Sequence, residues 1–138
     1  MKYIMVFLMW TLSLYIIHVI VHSFGANWFP KLYSMHLDHH SYINKNPNTS
    51  WKLNNLLLFN DTWRSTIDLW VTEVIPTIIF SMLTGHWWVS VLYYLWAALI
   101  QESIEHNKNV NFYPFITSGT WHLVHHKYTK NNYGLFIP

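Results

Sequence analysis

The chain of 138 residues contains no cysteine. That excludes disulfides, thiolate zinc sites, iron–sulfur clusters and cysteine nucleophiles, so any bound metal must be held by imidazole and carboxylate. Charge is also scarce. Charged residues make up 10% of the chain, where a soluble domain has about 25%, and this places the protein in a membrane. A net charge of +2, with no Arg/Lys cluster, argues against nucleic acid as a partner. What is abundant is hydrophobic surface, at 52% of residues, and histidine, with ten copies.

From Tyr3 to Pro30 no residue is formally charged, and a bilayer core takes about 20 residues to cross. A cleaved signal peptide is the competing reading. The run is long for such a segment, no small-x-small site follows, and His18 and His22 lie inside it. Two imidazoles on one helical face of a costly apolar span read as a functional site. Residues 31–65 are polar, with Pro30 marking the break and Asn44-Lys45-Asn46-Pro47-Asn48 rich in turn formers. From about Arg64 to His106 the chain is apolar again, interrupted by Asp68, Glu73 and Thr84-Gly85-His86. Splitting this stretch at Gly85-His86 gives a helical hairpin of membrane-crossing length, in which Pro76 is expected to kink the first helix without abolishing it.

The fold expected is therefore one all-α domain, 1–138. Three membrane helices (roughly 3–24, 65–84 and 87–106) carry a cap of shorter helices. Lys31, Lys45, Lys52, Arg64, Lys108, Lys127 and Lys130 fall on the cap side, against Lys2 opposite. The positive-inside rule makes the cap side cytoplasmic.

Two segments repeat one pattern: His36-Leu37-Asp38-His39-His40 and His122-Leu123-Val124-His125-His126. Each reads His-x-x-His-His, and on a helix positions i, i+3 and i+4 share one face. Each box is thus expected to close around one metal ion. His18 and His22, then Glu102 and His106, are further i, i+4 pairs. His86 falls at the far turn and is left out. The remaining set is His18, His22, His36, His39, His40, Glu102, His106, His122, His125 and His126. It is too large for one four-coordinate zinc and fits two metals with about five ligands each. Imidazole suits iron, zinc, copper or nickel rather than calcium or magnesium. Asp38, Glu105, Asn107 and Asn132 are candidates to orient the imidazoles.

Tyr15-Ile16-Ile17-His18-Val19-Ile20-Val21-His22, the first box, Glu102-Ser103-Ile104-Glu105-His106-Asn107-Lys108-Asn109-Val110 and the second box follow a known order and spacing. In this the chain resembles the fatty acid hydroxylase/sterol desaturase superfamily of membrane non-haem diiron enzymes. Asn132-Tyr133-Gly134 follows the last box at the distance seen in sterol C-4 methyl oxidase-like members. Val19 stands where many relatives have Arg, and Glu102 where some have His. The likeness starts at what resembles the family's second helical hairpin and stops before the Trp-Asp…Phe-Gly-Thr segment that closes many relatives.

The resemblance implies an O2-dependent enzyme that hydroxylates or desaturates a lipid such as a fatty acyl chain or sterol. Two Fe2+ ions would be its cofactors, with zinc as a substitute in isolated protein. Electrons would come from NAD(P)H through a separate cytochrome b5-like or ferredoxin-like carrier, because no flavin or nucleotide motif is present. The alternative is a non-enzymatic or degenerate histidine-rich metal-binding membrane protein. Ligands gathered at one face rather than at the bilayer midplane disfavour a transporter.

Overall fold

The uncharged N-terminal run folds as a single helix, α1 (Lys2–Trp28), whose 27 residues extend for about 40 Å at 1.5 Å each. It ends where the sequence breaks. Phe29 alone separates it from α2 (Pro30–Lys45), which Pro30 opens in the first turn, where a missing N–H removes no hydrogen bond. The computed structural model describes residues 2–60 and 62–137, so Met1, Asp61 and Pro138, including both ends of the expected 1–138 domain, lie outside the described residues.

After a 3₁₀ turn (Leu53–Leu57), the second apolar stretch forms α3 (Trp63–Thr84) and α4 (residues 88–104). The second box lies on α5 (Gly119–Lys127). The protein is all-helical, with no strand among the described residues.

Helix α3 starts where the Thr62 hydroxyl accepts the Ser65 N–H, and ends at Gly85, whose φ of +69° closes the turn expected there. Pro76 leaves the helix continuous. A widened π turn over Trp70–Val74, in which the Ile75 N–H reaches the Trp70 carbonyl five residues back, runs directly into the proline. A second π turn, Trp96–Ile100, widens α4 just before Gln101.

The core forms where α1, α3 and α4 meet, around Trp10, Leu14, Leu69, Val89, Tyr93 and Trp96. Trp10 is fully buried, donates its indole N–H to Thr77 Oγ1 at 3.0 Å, and packs at a tilt against Phe136, returned from the C-terminal tail, with ring centroids 4.7 Å apart. Elsewhere α1 exposes Tyr3, Ile4, Leu8, Leu12 and Ile16, and α3 exposes Ile75, Ile79, Met82 and Leu83. The fold buries only 28% of the most apolar stretch of α1 and 33% of that of α3. A soluble core helix would be mostly buried; these two are long and apolar enough to cross a membrane.

Polar contacts tie the segments between the long helices together. The loop after α2 meets the segment after α4 through an Asn48–Asn107 bridge, a Lys108 N–H to Pro47 carbonyl bond, and a Thr49 hydroxyl on the Glu102 carbonyl. Arg64 of α3 pairs with Asp38 and donates to the Ser34 hydroxyl, tying α3 to α2.

Candidate metal centre

Residues along a helix step by about 100°, so His36 and His40 of α2 stack one turn apart while His39 looks along a neighbouring face. The second box behaves in the same way on α5. That helix is seated by Gly119, at φ +47°, where an added Cβ would lie 1.5 Å from the Val110 carbonyl oxygen. Only glycine fits there.

Three groups of ligand atoms converge. One contains His18, His22, His36, His40 and His125; another His39, His106 and His126; the third Glu105, His106 and His122. The last two share His106, so the structure assembles two adjacent centres. Each box is divided between them, contrary to the expectation that each would close around one ion. The reason is geometric: adjacent faces of α2 and α5 meet different neighbours. Nine histidines of the expected set are brought together. His86 lies at the turn between α3 and α4 and belongs to none of the groups.

In the first centre the contacts are between Nε2 atoms. His22 and His36 stand 2.8 Å apart, His36 and His40 3.1 Å, His18 and His125 3.1 Å, and His22 and His125 3.2 Å. Two nitrogens bound to one metal at roughly 2.1 Å stand about 3 Å apart. The opposite ring nitrogens decide the tautomers. His36 Nδ1 donates to Asp68 Oδ2 at 2.8 Å, His125 Nδ1 to the Asn131 carbonyl at 2.8 Å, His18 Nδ1 to the Tyr133 carbonyl at 3.1 Å, and His40 Nδ1 to the His126 carbonyl at 3.3 Å. A carbonyl can only accept, so these rings carry their proton on Nδ1 and turn bare lone pairs towards one another. A cation among them converts that repulsion into coordination, and the residues present therefore fit a metal.

The second centre shows the same need. His122 and His126 approach through Nε2 at 2.9 Å. His106 Nδ1 donates to Glu102 Oε1 at 3.3 Å, leaving its buried Nε2 without a partner. Both oxygens of Glu105 are also buried without a hydrogen bond, with Oε1 3.6 Å from His122 Nδ1. Buried polar atoms are rarely left unpaired, and a cation would satisfy this group together. The rings border a cavity of about 30 Å³, room for about two water-sized spheres. Burial holds His39, His40, His122 and His126 well below the ordinary imidazole range. It brings His125 down to about 4, against an opposing pull from the Asn131 carbonyl. Neutral imidazole is the form that binds metal.

Glu102 lies outside the three groups and contacts the Nδ1 side of His106. Of the candidate orienting residues, Glu105 reaches a ligand histidine. Asp38 pairs with Arg64, Asn107 caps the Asn109 N–H, and Asn132 donates to the Trp121 carbonyl. The sequence reading missed Asp68 as the partner of His36. Its one signal was a carboxylate inside an apolar stretch. It also missed Asn44, whose amide donates to the His126 carbonyl at 2.8 Å.

An all-helical protein with two helices long and apolar enough to cross a membrane and adjacent imidazole clusters that could hold metal ions has the features of the class of membrane metalloproteins. More particularly, the chain belongs to the fatty acid hydroxylase family, whose profile matches residues 3–138 and which lies within the fatty acid hydroxylase/sterol desaturase superfamily. Proteins of this family are generally hydroxylase- or desaturase-type oxidoreductases and typically depend on iron. No curated protein and no solved structure matches the chain.

Proposed function

We propose that this protein is a membrane oxygenase that hydroxylates or desaturates a lipid, using two iron ions, O2 and electrons from a separate carrier. The observation that carries this reading is the convergence in the first centre of bare Nε2 atoms, His36 with His40 and His18 with His125, at metal-ligand spacing. Membership of the family supports the reaction class and the lipid substrate.

His18, His22, His36, His40 and His125 would hold one ion, and His39, His106, His122, His126 and Glu105 the other. Bound iron would supply the activation of O2 that attack on an unactivated C–H bond requires. The chain's own task is to keep those ligands bare, aimed and dry. Asp68 and the carbonyls of Tyr133, Asn131 and His126 hold four rings of the first centre in one tautomer. Glu102 does the same for His106. Leu14, Leu69 and Leu135 line the cavity beside the ligands and limit water.

Three spans, α1, α3 and the segment containing α4, with the cap in the cytoplasm, agree with the distribution of basic residues. A cytochrome b5-like or ferredoxin-like donor agrees with the lack of a nucleotide motif. Zinc is expected to compete for the site during isolation.

The test is turnover of fatty acyl and sterol lipids by reconstituted protein supplied with iron, reductant and O2. His125→Ala should still insert in the membrane and form no product. Product formed at the wild-type rate by that variant would overturn the reading. Wild-type protein that binds two metals and converts no lipid would favour the non-enzymatic alternative.

A further inference from the structure

The tail that follows α5 wraps the first centre. The Asn131 carbonyl accepts from His125 Nδ1 and, two residues on, the Tyr133 carbonyl accepts from His18 Nδ1. Between them Asn132 turns the backbone at φ +58°, a conformation asparagine tolerates, and its amide anchors the turn on the Trp121 carbonyl at 2.9 Å. Main-chain contacts thus set where the Tyr133 side chain lies.

Its ring packs against three imidazoles. The centroid is 5.3 Å from that of His125, 5.4 Å from that of His22 and 5.8 Å from that of His18. Among the described residues, no other ring besides imidazole packs against the histidines of either centre. A phenylalanine would fill the same space, so packing does not explain the hydroxyl. The Tyr93 and Tyr94 hydroxyls donate to Glu73 and to the Leu56 carbonyl, whereas the hydrogen bond described for Tyr133 runs through its carbonyl. The ring is half-buried, so the protein does not seal it off.

A phenol gives up an electron far more easily than imidazole or an alkyl side chain, and the chain has no cysteine to compete. The side chain in ring contact with three candidate ligands is therefore also the most oxidisable group beside them.

We propose that Tyr133 is a redox-active residue of the first centre. When O2 oxidises iron held there and no lipid C–H bond is in reach, the phenol, rather than a ligand imidazole, supplies an electron. Reduction of O2 to two waters takes four electrons and four protons. Two ferrous ions give two electrons on becoming ferric, and Tyr133 gives the third on becoming a phenoxyl radical. The external carrier, or a further ferrous ion, gives the fourth. The phenol releases one proton and water supplies the other three. A later electron from the carrier and a proton from water restore the tyrosine. The role rests on the oxygenase reading, since it needs iron and O2 to meet at this centre.

The test uses full-length protein in mild detergent, loaded without air with a slight excess of Fe(II). It is mixed with O2 without added lipid, frozen rapidly and read by electron paramagnetic resonance. The expected result is a tyrosyl signal whose hyperfine splitting collapses when the protein carries ring-deuterated tyrosine. Tyr133→Phe keeps the packed ring and should keep the iron content, yet lose the signal. Tyr93→Phe should retain it, as should Tyr15→Phe, which removes the phenol 6.1 Å beyond Tyr133. If Tyr133→Phe folds poorly, a nitroso spin trap added to the wild type and mapped by peptide mass spectrometry should mark Tyr133. Ferric iron by Mössbauer spectroscopy without a tyrosyl signal, or a trap adduct on Tyr15 or Tyr93 instead, overturns this inference and leaves the oxygenase reading standing. A radical on Tyr133 in protein that converts no lipid defeats the oxygenase reading alone. Iron that O2 leaves ferrous defeats both.

Discussion

Asp68 carries no atom in the ligand groups, yet the first centre depends on it. The side chain is buried at 4% exposure, and its Oδ2 fixes the proton of His36 on Nδ1. Asp68→Ala should leave the helices intact and weaken metal binding at the first centre by about 10–100-fold, read by metal titration of the apoprotein; Asp68→Asn, which keeps an acceptor, should lose less. Proton competition acts on the same rings. The His125 pKa, brought down to about 4 by burial, lies below its unfolded value near 6.5. Protons therefore bind the unfolded chain more tightly. Apoprotein stability should be fully present above about pH 6.5 and fall as pH drops towards 4, followed by circular dichroism in detergent. A stability independent of pH across that window would show that these rings are not buried in solution. At this scale the histidines that converge were legible because imidazole at i, i+3 and i+4 is a pattern in side chains. Their partners were not, because the carbonyls of Tyr133, Asn131 and His126 belong to every residue type alike, and Asp68 sits 32 positions from the ring it orients.

At the scale of elements, the division of each box between two centres depends on how α2 and α5 are seated. Gly119 seats α5 against Val110 and can accept no side chain without backbone movement. Gly119→Ala should cost on the order of 3 kcal/mol and lower metal content at both centres, since α5 supplies His125 to one and His122 and His126 to the other. Unfolding curves and metal analysis of the purified variant check this, and wild-type values in both would contradict it. Helix existence was readable from apolar runs broken at Pro30 and Gly85. The π turns were not, because a single widened turn leaves no period of its own in the sequence, although Pro76 marked the place of one. The boxes were misjudged in one respect: spacing on a helix fixes which face a ring occupies, but not which neighbour that face meets.

Across the whole molecule, the first centre joins residues far apart in sequence. His18 near the start and His125 near the end lie 107 positions apart, with Nε2 atoms 3.1 Å from each other. Phe136 reinforces the closure by packing on Trp10 and Trp96. A metal bound there ties both ends of the fold together. Free Fe(II) at a hundred times its Kd should stabilise the chain by about 2.7 kcal/mol and raise its thermal midpoint by several degrees, an effect His18→Ala should abolish. Sequence composition indicated the membrane setting and the helical class, but not the meeting of chain ends, which follows from tertiary packing.

The decisive measurement is iron per chain after anaerobic loading in mild detergent, compared among wild type, His125→Ala and His126→Ala. Two irons in the wild type, both oxidised on admitting O2, with fewer retained in each variant, is the result the two-centre geometry requires. One iron or none in the wild type, or a bound metal that O2 leaves unchanged, would contradict it.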